Sequence, residues 1–424
     1  MASEASPAGS PGSSGDPSGL PDDPSLHDPS LHDPSPDQPS PRHRALRRAS
    51  LRDLGWDAGF AAAFEPYAGR LPGRISRVDR GVCDVLTAAG ELRATWSAEI
   101  RRASAADPVA LPCVGDWAAL HIPSGASPGM SLDALPGGAV ELAAVLPRRT
   151  AFVRGGVGRG SRAGMSGDSQ GQVLAANVDL AYVSEPATTS AGFAASNMSR
   201  IERLLALAWE SGATPVVVIT KADLAPDLPA LLTEVRTAAP GAEVHAVSAL
   251  TGEGLEALRL PAGRTAVLLG RSGAGKSTLV NALAGAELMD TQEVRTADGR
   301  GRHTTTHREL LVLPGGGLVI DTPGVRRIGL YDADQGLAQA FTDIEELAAD
   351  CRFTDCGHQG EPGCAVAAAI EAGELPRRRL DSWHKLRKEA AWMAGRTDAR
   401  LRAEQTRHWK IISKEMRRSG RNRP

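Results

Sequence analysis

Residues Thr265–Gly285 read TAVLLGRSGAGKSTLVNALAG, and this stretch decides the fold of the chain. Its first five residues form an apolar run typical of a buried strand, and Gly270–Ser277 satisfies the phosphate-loop pattern G-x-x-x-x-G-K-[ST]. The residues that follow are predicted to open a helix. A strand, a glycine-rich turn and a helix in this order predict a nucleotide-binding α/β domain, whereas a chance glycine-rich turn would lack the flanking elements.

The phosphate loop requires each of its residue types for a physical reason. Glycines let the backbone curl around phosphate oxygens with no Cβ in the way, and the exposed amides of a helix N-terminus bind anions. Lys276 is expected to reach the β- and γ-phosphates, and Ser277 to offer its hydroxyl to Mg²⁺. The residues expected to line the phosphates are Gly270, Arg271, Ser272, Gly273, Ala274, Gly275, Lys276, Ser277 and Thr278.

Two further segments favour guanine over adenine. The first follows the apolar run PVVVI and comprises Thr220, Lys221, Ala222 and Asp223. The carboxylate of Asp223 can accept hydrogen bonds from the N1–H and 2-amino groups of guanine, a pair that adenine does not offer. Ser248 and Ala249 follow the run EVHAV, where a backbone amide can meet the guanine carbonyl. Alone, the first segment is an ordinary strand-to-helix turn; together, at two strand ends of one sheet, they predict GTP as the ligand.

The metal side of the nucleotide site is predicted from two other segments. Asp321 follows the strand-like run GLVI and suits a Mg²⁺ contact, and the amide of Gly324 can sense a γ-phosphate. In the run Thr304–Thr306, Thr305 is taken as the residue that completes the Mg²⁺ shell with Ser277 when the loop closes. An ordinary β-prone stretch is the alternative for this run.

The group that activates water is not fixed by the sequence. Val325 stands after Gly324, where Ras-like enzymes carry a water-orienting glutamine, so slow intrinsic hydrolysis is predicted. The catalytic candidates of this chain are Lys276 and His303, with a group supplied by a partner or a merely solvated histidine as alternatives.

The flanking regions differ in composition. Residues 1–44 are rich in Pro, Ser and Asp, and the first 40 hold seven acidic and no basic residues, so we predict a disordered acidic tail. Residues 45–150 begin with a helical lead-in and continue as four or five short β-type runs between Gly and Pro turns. This pattern predicts a small barrel of the oligonucleotide-binding (OB) type as an RNA-binding domain. Alternating strands and helices over residues 151–341 predict the P-loop domain.

The last region, residues 342–424, carries a Cys/His cluster and a basic tail. Cys351-x₄-Cys356-x-His358-x₅-Cys364 offers three thiolates and one imidazole, a closed tetrahedral set suited to one structural Zn²⁺. An iron–sulfur cluster and free thiols are the alternatives. Residues 376–424 hold 16 basic and five acidic residues, so a helix there is expected to contact RNA phosphates, with a solvated charged helix as the alternative. Cys83 and Cys113 are expected in the core.

The motifs stand in an unusual chain order: TKAD, SA, GRSGAGKST, TTT and DTPG. Their cyclic order is that of common small GTPases but the termini have moved, which predicts a circularly permuted GTPase domain. With its flanking regions the chain resembles the RsgA (YjeQ) family of small-ribosomal-subunit-dependent GTPases over about Arg74–Lys414. The resemblance rests on RGVCDV, VGDW, AANVDLAYVS, GATPVVVITKADL, GRSGAGKSTLVNAL, GRHTTTHREL, DTPGVR and CRFTDCGHQGEPGCAV. Thr220 departs from it, because the family has asparagine there.

The resemblance implies a GTPase that binds 16S rRNA late in 30S maturation and hydrolyses GTP to GDP and phosphate, slowly alone and faster on the 30S subunit. A GTP-gated RNA-binding assembly factor with incidental hydrolysis is the alternative, and a role on the large subunit is a third. The chain shows no membrane span and no secretion signal, so we expect a cytoplasmic protein. No heptad pattern is present, and we expect a monomer.

Overall fold

The computed structural model describes residues 49–123, 140–155, 171–187, 195–289, 308–321 and 333–397. The predicted acidic tail over residues 1–44 and the basic residues after 397 lie outside these ranges, and so do His303, Thr305 and Gly324. Within the described ranges, no helix combines the length and the apolar character that crossing a membrane requires.

A helical lead-in precedes a closed barrel of five strands. The elements are α1 (Ala58–Phe64), β1 (Leu71–Asp79), β2 (Val82–Thr87), β3 (Gly90–Trp96), α2 (Ala98–Ala106), β4 (Trp117–His121) and β5 (Val140–Val145). The strands pair in the order β1-β2-β3-β5-β4, and β4 pairs back with β1. This closure confirms the predicted barrel and leaves no free strand edge.

The barrel core is built from the inward side chains of alternating strand positions. Ile75, Val85 and Leu142 are fully buried there together with Cys83. Burial raises the pKa of Cys83 to about 12, so this thiol stays neutral in the core. Cys113 is buried as well, and both cysteines are core residues as predicted.

A hairpin and a six-stranded sheet follow the barrel. The elements are β6 (Ala151–Gly155), β7 (Gly171–Ala176), β8 (Leu180–Pro186), α3 (Ala195–Glu210), β9 (Thr214–Thr220), α4 (Leu228–Ala238), β10 (Glu243–Val247), β11 (Thr265–Leu269), α5 (Lys276–Ala284), β12 (Glu309–Val312) and β13 (Leu318–Asp321). The sheet order is β10-β9-β8-β11-β13-β12, with only β12 antiparallel to its neighbour β13. The five parallel strands therefore end at one edge, and the strand before the phosphate loop lies between β8 and β13.

Four helices complete the described chain. They are α6 (Asp334–Ala340), α7 (Thr342–Ala349), α8 (Ala365–Glu371) and α9 (Arg377–Thr397). One face of α9 is apolar and buried, and it consists of Trp383, Leu386, Ala390 and Met393. The side chains of this face pack in the main hydrophobic core or are buried close to it, so the helix is anchored by packing and not by charge alone.

Buried arginines join the parts of the chain. Arg74 is 2% exposed and donates to the carbonyl oxygens of Gly115 (3.2 Å), Leu54 (2.6 Å) and Asn177 (2.8 Å), which lie before β4, in the lead-in and after β7. Burial lowers the pKa of Arg74 to about 10, so the group is still charged near neutral pH. One guanidinium thus links the lead-in and the barrel to the segment that starts the P-loop domain.

A second buried arginine fixes α9. Arg379 pairs with Asp343 of α7 (2.6 Å) and with Glu202 of α3 (3.0 Å), and it donates to the carbonyl oxygens of Ala238 and Ala340. Because two carboxylates and two carbonyls satisfy it, the charge is stable despite full burial. The C-terminal helices are thereby held against α3 of the P-loop domain.

Replacement of Arg74 tests the first of these joints. Arg74→Met leaves the buried carbonyl oxygens of Leu54 and Asn177 without their donor, while that of Gly115 keeps Asn177 Nδ2, so we expect the free energy of unfolding to fall by on the order of 3 kcal/mol. Arg102→Met is the control, since Arg102 is 77% exposed and its removal should change stability by less than about 0.5 kcal/mol. Urea unfolding followed by circular dichroism measures both, and equal changes in the two variants would contradict the role of Arg74.

Candidate functional site

The phosphate loop curves from the end of β11 to the start of α5. Gly270 has φ 149°, and a Cβ at this position would lie 2.3 Å from the carbonyl oxygen of Ser184 on β8. Gly275 has φ 76° and forms the N-cap of α5, which no side chain caps. The first amides of α5 are therefore available to anionic oxygens, as a phosphate site requires.

Lys276 lies back over the loop that it belongs to. Its Nζ donates to the carbonyl oxygens of Gly270 (3.1 Å) and Arg271 (2.8 Å). The ammonium group is thus already in the concave side of the loop, where phosphate oxygens can replace the carbonyl oxygens as stronger, charged acceptors. This arrangement suits the predicted role of Lys276 in phosphate binding.

Thr220 contacts the phosphate loop directly. Its Oγ1 donates to the carbonyl oxygen of Ala274 at 2.8 Å, and the Thr220 side chain is buried. The threonine that replaces the family asparagine therefore ties the guanine segment to the loop. Lys221 follows with φ 55°, an uncommon backbone conformation that turns the chain sharply before Asp223.

The two guanine-reading segments lie side by side because β9 and β10 are parallel neighbours with Thr220 opposite Val247. The amide of Ser248 donates to the carbonyl of Glu253 (3.0 Å) and is occupied, whereas the adjacent amide of Ala249 makes no backbone hydrogen bond among the described residues and can meet a base carbonyl. Asp223 is exposed just past the end of β9. The sheet thus brings together the residues that the sequence predicted for guanine.

One acidic residue of this edge was missed by sequence reasoning. Glu185 is fully buried near the end of β8, and its Oε1 lies 2.6 Å from Arg200 of α3 and 3.2 Å from Nε of the loop residue Arg271. Burial raises the pKa of Glu185, and the guanidinium of Arg200 opposes that effect. An acidic residue inside the apolar run LAYVSEP was the available signal, because a buried carboxylate requires a cation nearby.

Two of the residues predicted for the magnesium side of the site, Ser277 and Asp321, lie among the described residues. Asp321 is the last residue of β13 and pairs in register with Leu268 of β11, which places it beside the strand that feeds the phosphate loop. Ser277 is the second residue of α5. A carboxylate and a hydroxyl at this edge are hard oxygen ligands of the kind that Mg²⁺ prefers.

The Cys/His cluster is assembled between α7 and α8. Single ligand atoms of Cys351, Cys356, His358 and Cys364 all lie within 4.8 Å of one another. His358 Nδ1 is 3.5 Å from Cys364 Sγ and 3.7 Å from Cys351 Sγ, and these two sulfurs are 4.0 Å apart. A tetrahedral Zn²⁺ with its usual bond lengths has S···N edges of about 3.5 Å and S···S edges of about 3.8 Å. The cluster can therefore hold a metal ion of this size.

The imidazole of the cluster suits metal binding. Burial lowers the pKa of His358, so its imidazole is neutral at pH 7 and has a lone pair to give. His358 has φ 57°, a conformation that non-glycine residues adopt mainly where a site fixes the backbone. Trp383 of α9 covers the ring, with centroids 5.3 Å apart.

The sheet order, the phosphate loop and the guanine segments in this chain order define a circularly permuted P-loop GTPase. Solved structures share the fold: YjeQ from Thermotoga maritima covers 76% of this chain and 98% of its own (TM-score 0.51, 23% identity). YloQ, described as a circularly permuted GTPase, covers 77% of this chain and 96% of its own (TM-score 0.50, 22% identity).

Sequence relatives specify the family. A model of the RsgA GTPase family matches residues 145–331. The small ribosomal subunit biogenesis GTPase RsgA of Streptomyces coelicolor is 51% identical over 88% of this chain and 93% of its own, and that of Opitutus terrae 45% identical over 86% and 96%. The chain belongs to the RsgA family, and it is a hydrolase that acts on GTP.

The close approach of the loop to β8 can be tested by adding one methyl group. Gly270→Ala places a Cβ against the Ser184 carbonyl in a backbone conformation that L-residues rarely adopt, so we expect GTP affinity to fall on the order of 10- to 100-fold. Gly315→Ala is the matched control, because nothing lies within 4 Å of a Cβ there. Titration with a fluorescent GTP analogue measures both, and unchanged affinity in Gly270→Ala would contradict the geometry.

Proposed function

We propose that this chain couples GTP hydrolysis to late maturation of the 30S subunit, with 16S rRNA as its contact. The observation that supports the proposal is that the basic helix α9 is held against α3 of the GTPase domain by ion pairs. Arg379 and Arg378 of α9 pair with Glu202, and Glu389 of α9 pairs with Arg203. RNA bound along α9 could therefore shift α3, the helix that α9 is paired with. Arg200 of α3 also pairs with Glu185, which lies beside the phosphate loop.

The residues of the nucleotide site have separate roles in this proposal. The loop Gly270–Thr278 binds the phosphates, Asp223 and the Ala249 amide read guanine, and Lys276 stabilises charge on the β- and γ-phosphates. Ser277 and Asp321 hold Mg²⁺, with Thr305 and Gly324 joining from segments outside the described residues. When bound, Mg²⁺ neutralises charge on the bridging phosphate oxygens.

We propose slow hydrolysis by the isolated protein. His303, the candidate for orienting water, lies outside the described residues and stays a prediction. A group of the 30S particle that completes the site would then explain activation on the ribosome. If hydrolysis is incidental, the chain is instead a GTP-gated RNA-binding assembly factor.

The Cys/His cluster is proposed to hold one structural Zn²⁺ through Cys351, Cys356, His358 and Cys364. Four protein ligands close the tetrahedron, so the ion would organise the turn between α7 and α8 without taking part in hydrolysis. The thiolate-rich set with one imidazole favours zinc over harder cations.

The proposed domain limits follow the same division. Residues 1–44 form an acidic tail, 45–150 an OB-type RNA-binding domain with its lead-in, 151–341 the permuted GTPase domain and 342–424 the zinc-binding domain with its basic tail. We propose that the protein is cytoplasmic, since its proposed partner is a cytoplasmic particle. We also propose that it is a monomer.

Ribosome-stimulated hydrolysis tests this function. We expect purified 30S subunits to raise GTP turnover by orders of magnitude and 50S subunits to have little effect. Lys276→Ala should abolish turnover, because it removes the charge that stabilises the transferred phosphoryl group. If 30S changes only GTP-dependent binding and not turnover, the gated-factor alternative holds; stimulation by 50S alone would move the proposal to the large subunit.

Removal of one thiolate tests the metal. Cys364→Ser should lower bound zinc well below one ion per chain and reduce the melting temperature, since metal binding and local folding are coupled. Cys83→Ala is the control, because Cys83 lies in the barrel core and should leave zinc content unchanged. Elemental analysis and thermal unfolding give the readouts, and iron in place of zinc would contradict the assignment.

A further inference from the structure

A cavity of about 430 Å³ lies between the barrel and the β6–β7 hairpin. Its walls come from the end of β1, the end of β3, the segment before β4, strand β7 and the residue that precedes β12. None of these residues is assigned above to the nucleotide or to the Cys/His cluster. Cavities of this size at the junction of two domains are common ligand sites.

The charge lining the cavity is positive. Arg80 and Arg308 contribute guanidinium groups, and within the described ranges neither has an ion-pair or hydrogen-bond partner. Among the described lining residues Asp79 is the one acidic side chain, and it is already paired with Arg93 (3.2 Å) and Arg77 (3.6 Å), which are not lining residues. The described part of the lining therefore has an excess of positive charge from the exposed Arg80 and the half-buried Arg308.

The less exposed of these two arginines lies near a third. Arg308 is half-buried, and both burial and the neighbouring charge of Arg154 lower its pKa, while Arg154 bonds the neutral Gln172 (2.9 Å) among the described residues. A partly buried guanidinium beside another cation is stabilised when an anion binds to it.

We propose that this cavity binds a phosphate group and that the phosphate belongs to the backbone of RNA. Arginine guanidinium groups match the oxygens of a phosphate diester, and the exposed Arg80 of the lining lies on the β1–β2 turn. The choice of RNA as source rests on the proposed function; the phosphate chemistry does not.

Such a contact would bear on the metal side of the nucleotide site. Arg308 stands three residues after Thr305, and the next residue, Glu309, is paired in register with Asp321 at the end of β13. Glu309 is also the residue that pairs with Arg77 of the barrel. A phosphate held by Arg308 would therefore fix the start of β12, the strand shared by the barrel and the GTPase sheet.

The experiment uses the full chain saturated with GDP and Mg²⁺, so that the phosphate loop is filled. Binding of purified 30S subunits and of a fluorescent 12-nucleotide oligouridylate is measured across a KCl series, and inorganic phosphate is titrated by calorimetry. The variants are Arg308→Gln, Arg308→Lys, Arg80→Gln and the control Arg259→Gln, whose side chain is 73% exposed and lies before β11. Unchanged circular dichroism and GDP affinity identify the variants that fold.

We expect Arg308→Gln to lower the slope of log affinity against log salt by about 0.7 to 0.9, the value for one lost phosphate contact. Arg308→Lys should keep the slope, Arg80→Gln should lower it as Arg308→Gln does, and Arg259→Gln should change neither the slope nor the affinity. If Arg308→Gln does not fold, Arg80→Gln decides: a lower slope supports the site and a wild-type slope overturns it.

The three binding measurements distinguish RNA phosphate from free phosphate as the ligand. They also distinguish failure of the cavity proposal from failure of the proposed function. In one outcome, inorganic phosphate gives heat with the wild type and not with Arg308→Gln, while the salt slope of RNA binding is the same in both. This outcome supports a phosphate site whose ligand is a small free phosphate and not RNA. Arg308-dependent binding of the oligonucleotide by a protein that ignores 30S particles supports the cavity and overturns the proposed function. If the slopes of Arg308→Gln match wild type and phosphate gives no Arg308-dependent heat, the cavity proposal is wrong, whether or not 30S stimulates hydrolysis.

Discussion

Five parallel strands end at a single edge of the sheet, and the nucleotide site depends on that alignment. Because β11 is flanked by β8 and β13, the phosphate loop emerges between the strand that carries Glu185 and the strand that ends at Asp321. The fit is close enough that Gly270 has no room for a Cβ beside Ser184. Ligands of open α/β sheets bind at such points because the loops diverge there, and the N-terminus of α5 adds a favourable field for anions.

The joints between the parts of the chain use buried charge in two different ways. Arg379 is neutralised by two carboxylates, so its burial is offset by direct ion pairing. Arg74 has three carbonyl oxygens as acceptors and no carboxylate within salt-bridge distance in the described structure, which is consistent with its lowered pKa. The contacts of Arg74 are directional, because each N–H must meet a particular carbonyl oxygen. They therefore fix the orientation of the barrel relative to the segment that follows β7.

Local patterns made much of this fold predictable. The phosphate loop, the apolar strand runs and the Cys/His spacing each lie within a few residues of sequence. The closed barrel and the permuted sheet confirmed the predicted fold, and the four Cys/His side chains lie together as a group that could hold a metal ion. The contacts of Arg74 were not predictable, since its acceptors are backbone carbonyls that carry no residue signature. Glu185 was missed because its partners Arg200 and Arg271 are brought to it only by packing. Thr220 was interpreted as a departure, yet its hydroxyl bonds the loop carbonyl of Ala274.

The pairing of β12 with β1 has a consequence for how the protein forms during translation. Arg77 of the barrel lies opposite Glu309, a residue made long after the barrel strands have left the ribosome. The barrel and the strands β8 to β10 can form from residues synthesised early, but β11 has only one of its two neighbours until β13 is made. A nascent chain stalled before β13 therefore exposes one edge of its phosphate-loop strand, and the nucleotide site lacks Asp321 until β13 has been made.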